Sequence, residues 1–191
     1  MAQCEDMDLR EEQVSSETLF EGKIIKVTLD QARLPDGTIA GREVVYHPGG
    51  VGILALDEDK TVTLVRQYRY PMGKVLLEIP AGKLDGDEDP NLAAARELSE
   101  ETGLEADEIT YLGYTLASPG FCDEALHMFL ARGLTQKKQH LDEDEFLEVL
   151  RRPFAALVDE VMDGTITDGK TSALILKVQE YLRRERENGE K

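Results

Sequence analysis

Twenty-three residues, Gly82–Leu104 (GKLDGDEDPNLAAARELSEETGL), constrain this chain more than any others. They run a glycine turn and a short acidic loop straight into a helix loaded with carboxylates. At about 100° per residue, Glu97, Glu100 and Glu101 fall within roughly a third of the helix circumference, and Leu92, Ala95, Leu98 and Thr102 fall opposite them. The expected helix buries the second face and concentrates negative charge on the first. Arg96 is placed to reach Glu100 at the i, i+4 spacing. Three crowded carboxylates need a cation, and on rigid helical spacing they suit a hard divalent ion with oxygen ligands, Mg²⁺ or Mn²⁺.

The competing reading is a solvated acidic helix, which gives a similar charge count. Such helices set their carboxylates against lysines, and this one does not. Gly82, Glu88, Arg96, Glu97, Leu98, Glu100, Glu101, Gly103 and Leu104 also stand at fixed intervals. In this the stretch resembles the box of the Nudix hydrolases: Gly, five residues, Glu, seven residues, Arg-Glu, an aliphatic residue, any residue, Glu-Glu, any residue, Gly and an aliphatic residue. Every specified position is filled. The resemblance implies hydrolysis of a nucleoside diphosphate linked to another group. It also implies Glu97 and Glu101 as principal metal ligands, Glu100 as a further ligand and catalytic group, and Arg96 as the catalytic residue that orients the carboxylates.

Charge narrows the partners. With 22 Lys plus Arg against 39 Asp plus Glu, the net charge of -17 argues against a nucleic-acid backbone or an anionic membrane. An anionic substrate requires metal ions and a few placed arginines to reverse the field locally, which agrees with the box. Cys4 and Cys122 form neither a metal nor a redox spacing, so a reduced, cytoplasmic setting is expected. The opening MAQCEDMDLREEQ lacks the basic region and apolar run of a secretory signal, and no run has transmembrane length.

The 191 residues, 41% of them hydrophobic, suffice for one domain with an added arm. Residues 1 to about 15 are expected to fray. Apolar and β-branched runs from Thr18 to His47, broken by glycine turns of which Asp36-Gly37 is the clearest, read as antiparallel hairpins. Residues 1–47 are therefore expected to form an N-terminal arm and small sheet, and 48–191 the main domain. Strands follow at Val51–Leu56, Thr61–Tyr68 and Lys74–Ile79, and a sharp turn is expected at Pro80-Ala81-Gly82. That turn can aim a backbone carbonyl at an ion held by the helix, and the resemblance to the Nudix hydrolases implies that it is the carbonyl of Ala81. Asp89 is the expected N-cap and Gly103 the stop. Beyond the box, Ile109–Leu116 and Ala125–Ala131 read as strands. Phe154–Met162 and Lys170–Glu187 read as amphipathic helices, the second burying Leu174, Ile175, Val178, Tyr181 and Leu182 with Asp168 or Thr171 as cap.

Two further stretches carry substrate information. Ser118-Pro119-Gly120-Phe121 begins a turn between strands, with Pro119 sixteen positions after Gly103, and Asp142-Glu143-Asp144-Glu145 opens an acidic loop. Both are similar to features of the Nudix subgroup of ADP-ribose pyrophosphatases, and the likeness runs from about Leu19 onward. It implies an α/β/α sandwich with a mixed sheet, an α+β or α/β fold, plus a small N-terminal antiparallel sheet. It implies a homodimer whose N-terminal strands complete the partner's nucleotide site. Glu143 is assigned as catalytic base and Glu145 as a metal contact, with the reverse assignment left open. Substrate contacts are implied for Arg42, Glu43, Arg69, Gly82, Pro119 and Gly120. The implied reaction takes ADP-ribose and water to AMP and ribose 5-phosphate. The alternatives are a pyrophosphatase for other nucleoside diphosphate sugars, a hydrolase of oxidised nucleoside triphosphates, and a ligand-sensing module without catalysis.

Overall fold

A computed structural model describes residues 8–141 and 146–189. These residues form two compact units. One takes the chain up to Pro48 together with Ser118–Glu124, and the other takes Gly49–Ala117 with the chain from Ala125 onward.

The first unit is a three-stranded antiparallel meander of β1 (Glu12–Glu21), β2 (Lys26–Arg33) and β3 (Ile39–Tyr46). The β2–β3 connection closes at Asp36-Gly37 as expected. Gly37 takes φ +85°, a value open to glycine, and the Asp36 carboxylate accepts from the Thr38 N–H at 2.9 Å. The expected fraying ends sooner than the composition suggests, because the chain is already paired at Glu12, opposite Arg33. Every β1 residue is exposed, so backbone hydrogen bonds rather than a buried apolar row hold this strand. Residues 12–15 therefore carry no hydrophobic alternation to read. The segment Ser118–Glu124 joins β3 through Val45, whose N–H donates to Phe121 O at 2.7 Å and whose carbonyl accepts from Asp123 N at 3.1 Å.

The second unit is an α/β/α sandwich, in agreement with the expected fold. Its strands are β4 (Gly50–Leu56), β5 (Thr61–Arg69), β6 (Lys74–Glu78), β7 (Ala81–Lys83), β8 (Leu104–Leu116), β9 (Ala125–Gln136) and β10 (Leu147–Pro153). The sheet order is β10-β5-β4-β9-β8, with β4 and β9 parallel and the other neighbours antiparallel. Side chains alternate between its faces. Val51, Ile53, Ala55, Phe129 and Ala131 pack with Ala93, Ala94 and Leu98 of helix α1 (Pro90–Thr102). On the other face Leu54, Leu56, Met128 and Leu130 pack with Leu157 of α2 (Phe154–Met162) and with Leu174, Ile175 and Val178 of α3 (Gly169–Gly189). Tyr181 and Leu182 extend the α3 stripe as partly buried neighbours. Asp168 caps α3, accepting from Thr171 N at 3.0 Å and from Thr171 Oγ1 at 2.5 Å.

The sheet splays at the start of β4. β4 pairs β5 only at Ala55 and Leu56, then pairs β7 from Gly50 to Gly52, while β5 goes on to pair β6. The expected sharp turn at Ala81-Gly82 is thus a short strand, lying against two glycines. A methyl on Gly50 would meet Gly82 O below 3.0 Å, so the missing side chain lets β7 approach. Similarly, β8 starts directly after α1, five residues before the apolar alternation becomes legible at Ile109. No helix among the described residues is long and apolar enough to cross a membrane.

Candidate active site

Helix α1 has well-defined ends. Asp89 accepts from Asn91 N at 2.8 Å, Pro90 occupies a first-turn position where a missing N–H costs nothing, and Gly103 takes φ +70° while its N–H donates to Ser99 O at 2.8 Å. Carbonyls at the C-terminal end would otherwise lack partners. The end of β9 and the chain after it supply them: Gln136 Nε2 donates to Thr102 O at 3.1 Å, Gln139 Nε2 to Glu101 O at 2.5 Å, and His140 N to Glu100 O at 3.1 Å.

The buried face of α1 differs from the expected one. Leu92 and Ala95 are exposed, and the buried residues are Ala93, Ala94, Glu97, Leu98, Glu101 and Thr102. Two adjacent alanines let the helix sit close against β4 and β9, which turns the apolar stripe through Ala94 and Leu98. Glu97 and Glu101 lie on that same stripe. They are 8% and 2% exposed, so the carboxylates face inward toward the splayed sheet rather than presenting charge to solvent.

Arg96 organises what surrounds them. Its Nε and Nη2 fork onto Glu88 at 3.0 and 2.8 Å, its Nη1 reaches Glu97 at 2.7 Å and Glu100 at 3.0 Å, and Nη2 also donates to Lys83 O at 3.2 Å. Glu88 above all raises the Arg96 pKa further, and the guanidinium in turn holds the Glu88 carboxyl below its ordinary range. Ala81 N donates to Glu101 Oε2 at 2.9 Å. The Glu97 carboxylate lies directly on Gly82. A methyl there would overlap Cδ and both oxygens, far inside the 3.0 Å that real Cβ atoms keep.

These contacts bring Ala81, Gly82, Arg96, Glu97, Glu100 and Glu101 together. One guanidinium among four carboxylates leaves the cluster strongly negative, and all of its side-chain acceptors are hard oxygens, as a divalent cation requires. Among the described residues no three acidic, His or Cys side chains already stand as a ligand group, since Arg96 Nη1 contacts both Glu97 and Glu100. Glu143 and Glu145 lie outside the described residues.

Arg69 does not stand alone at the end of β5. It forks onto Glu78, Nε to Oε1 at 2.7 Å and Nη2 to Oε2 at 2.6 Å, and Lys170 Nζ donates to the same Glu78 oxygen. Sequence reasoning passed over Glu78, although a single acid inside Lys74–Ile79 was the available signal, because a charge in a buried strand needs a partner. In the other unit, Arg42 forks onto Glu11 at 2.9 and 2.7 Å, Glu43 is exposed on β3, and the exposed Pro119 and Gly120 belong to the segment joined to β3 at Val45.

Burial alone would raise the Glu78 pKa, but the Arg69 and Lys170 partners outweigh it and hold the carboxyl below its ordinary 4.5. The unfolded chain therefore binds this proton more readily, and stability from Glu78 is full above that value and drains away as pH falls below it. Glu78→Gln is expected to lose about 3 kcal/mol near pH 7, where Arg69 loses the carboxylate it forks onto and Lys170 keeps only Asp168. The gap to wild type should narrow in urea titrations at about pH 3. An equal gap at both pH values would contradict the ion pair.

The NUDIX domain pattern matches residues 46–174, and the nucleoside diphosphate sugar hydrolase N-terminal domain matches residues 11–45. The methanol dehydrogenase activator of Bacillus methanolicus is 38% identical over 177 residues, 91% of this chain and 96% of that protein. An ADP-ribose pyrophosphatase of Bacillus subtilis (strain 168) is 39% identical over 173 residues, 90% and 94% of the two chains. Among solved structures, an ADP compounds hydrolase superposes with a TM-score of 0.82 over 94% of this chain and 98% of its own, and at 22% identity that likeness concerns the fold.

Proposed function

The chain belongs to the Nudix hydrolase family, enzymes that act on a diphosphate, and we propose that its own reaction takes ADP-ribose and water to AMP and ribose 5-phosphate. The observation that carries the site assignment is the Arg96-centred cluster, with Glu97 seated on Gly82 and Glu101 held by Ala81 N. The ADP-ribose pyrophosphatase relatives support the substrate, and the N-terminal domain match supports its class, a nucleoside diphosphate sugar.

Glu97, Glu101, Glu100 and the Ala81 carbonyl would hold the divalent ion, for which Mg²⁺ or Mn²⁺ suits the oxygen donors. When bound, such an ion neutralises diphosphate charge and lowers the pKa of water. Arg96 keeps three carboxylates in fixed orientation, so no reorganisation is needed as charge develops. Arg69 would take a diphosphate oxygen. Arg42 and Glu43 would contact the ADP-ribose moiety in the partner's site, and Gly82, Pro119 and Gly120 would be further substrate contacts.

Glu143 would act as base, removing a proton from the attacking water as its oxygen bonds to phosphorus and the bridging P–O bond breaks. Glu145 would contact the metal. The chain segment before them is anchored to the carbonyls of Glu100 and Glu101, which supports an origin near the cluster. A homodimer is proposed from the exposed Val14, Leu19, Phe20, Leu29 and Ile39 of the small sheet.

The test is divalent-ion-dependent hydrolysis of ADP-ribose, ADP-glucose, UDP-glucose, NADH, diadenosine polyphosphates and oxidised dGTP, with products identified. Preference for ADP-ribose yielding AMP is expected, together with a solution mass twice that of the 21.3 kDa chain. Better cleavage of another nucleotide sugar overturns the substrate assignment, and a monomeric mass overturns the dimer.

A further inference from the structure

Four charged side chains alternate in sign across the second unit: Asp168, Lys170, Glu78 and Arg69. Lys170 Nζ donates to Asp168 Oδ1 at 3.1 Å and also to Glu78 Oε2, whose carboxylate is forked by Arg69. Burial is deepest at Glu78 and least at Arg69. The Glu78 side chain is 0% exposed, Asp168 15%, Lys170 17%, and Arg69 38%, so Arg69 is the end that meets solvent.

The fork uses the Nε and Nη2 edge of the guanidinium. Among the described residues Arg69 Nη1 donates to nothing. A planar guanidinium held along one edge has little freedom left, and its Nη1 side is directed away from Glu78 as a fixed donor set suited to a phosphate. Glu78 stands only three residues before Ala81, whose N–H donates to Glu101 Oε2 at 2.9 Å, so the fork lies beside the chain that meets the carboxylate cluster.

An Arg69–Glu78 pair by itself would be neutral and would attract an anion weakly. Lys170 supplies a second cation beside Glu78, and its other partner Asp168 also caps the first turn of α3, whose N-terminal dipole is positive. We propose that Glu78 and Lys170 are positioning residues for substrate binding, which hold Arg69 in the orientation that receives the substrate's diphosphate. On this account the first turn of α3, about a hundred residues beyond Arg69 in the chain, sets substrate affinity. The proposal rests on the reading of Arg69 as a diphosphate contact.

The test is a double-mutant cycle with ADP-ribose, using Lys170→Met, Lys170→Arg and Arg69→Ala, and with unfolding midpoints measured under assay conditions. Lys170→Met is expected to raise KM about tenfold with kcat nearly unchanged, the signature of lost uniform binding. Lys170→Arg should return KM to within about threefold of wild type, and Lys170→Met should add nothing once Arg69 is Ala. If Lys170→Met does not fold, Lys170→Gln takes its place, since it keeps a hydrogen-bond donor and loses only the charge. A rise in KM that persists in the Arg69→Ala background overturns the positioning role. So does an unchanged KM in Lys170→Met while Arg69→Ala raises it, and that result leaves Arg69 in place. An unchanged KM in Arg69→Ala overturns the reading of Arg69 itself.

Discussion

Glu97→Gln is expected to fold like wild type and to lose about a thousandfold in kcat, roughly 4 kcal/mol of transition-state stabilisation. Glutamine keeps the length of the side chain, and its carbonyl can still accept from Arg96 Nη1, now 2.7 Å from Glu97 Oε1. The packing beside Ala93, Ala94 and Leu98 is untouched. What disappears is one negative charge from a nearly buried position, where an electrostatic interaction is worth far more than at the surface. Steady-state kinetics at saturating divalent ion, beside a urea unfolding curve, checks both halves. Turnover at the wild-type rate would remove Glu97 from the chemistry.

Gly82→Ala should give the second largest loss, about a hundredfold in kcat/KM, with little change in unfolding midpoint. The added methyl would occupy the space of the Glu97 carboxylate. That carboxylate is the far end of a flexible side chain, so the fold can relieve the overlap by moving it. The required displacement is of the order of 1 Å, enough to cost about a hundredfold at a reacting centre. A circular dichroism spectrum and midpoint like wild type, with activity lost, would separate misplacement from unfolding. Wild-type kcat/KM would mean that the position of this carboxylate does not matter.

Much of the site was legible because its chemistry is local. Asp89, Pro90 and Gly103 act on residues at most four positions away, and the Arg96–Glu100 contact follows from helical spacing. The buried face of α1 was misread because amphipathic reasoning sends leucine inward. Leu92 is in fact two-thirds exposed, and a close helix–sheet approach selects the alanines instead. The strand residues of β1 before Ser16 were illegible for a related reason. Their pairing depends on the backbone of β2, and all ten side chains stay exposed.

The sequence by itself determined the helix that carries the Nudix box, its caps, its carboxylates and its guanidinium, because those interactions close within a few residues. Only the tertiary structure decided which side of that helix faces the sheet. It also decided that Glu97 rests on Gly82, that Glu78, the partner of Arg69, meets Lys170 92 positions further on, and that residues after β9 cap the far end of α1. Each of these depends on which distant strands pair and where the sheet splays. Side-chain chemistry is written in the chain order, but distance is settled only when long-range burial fixes the register.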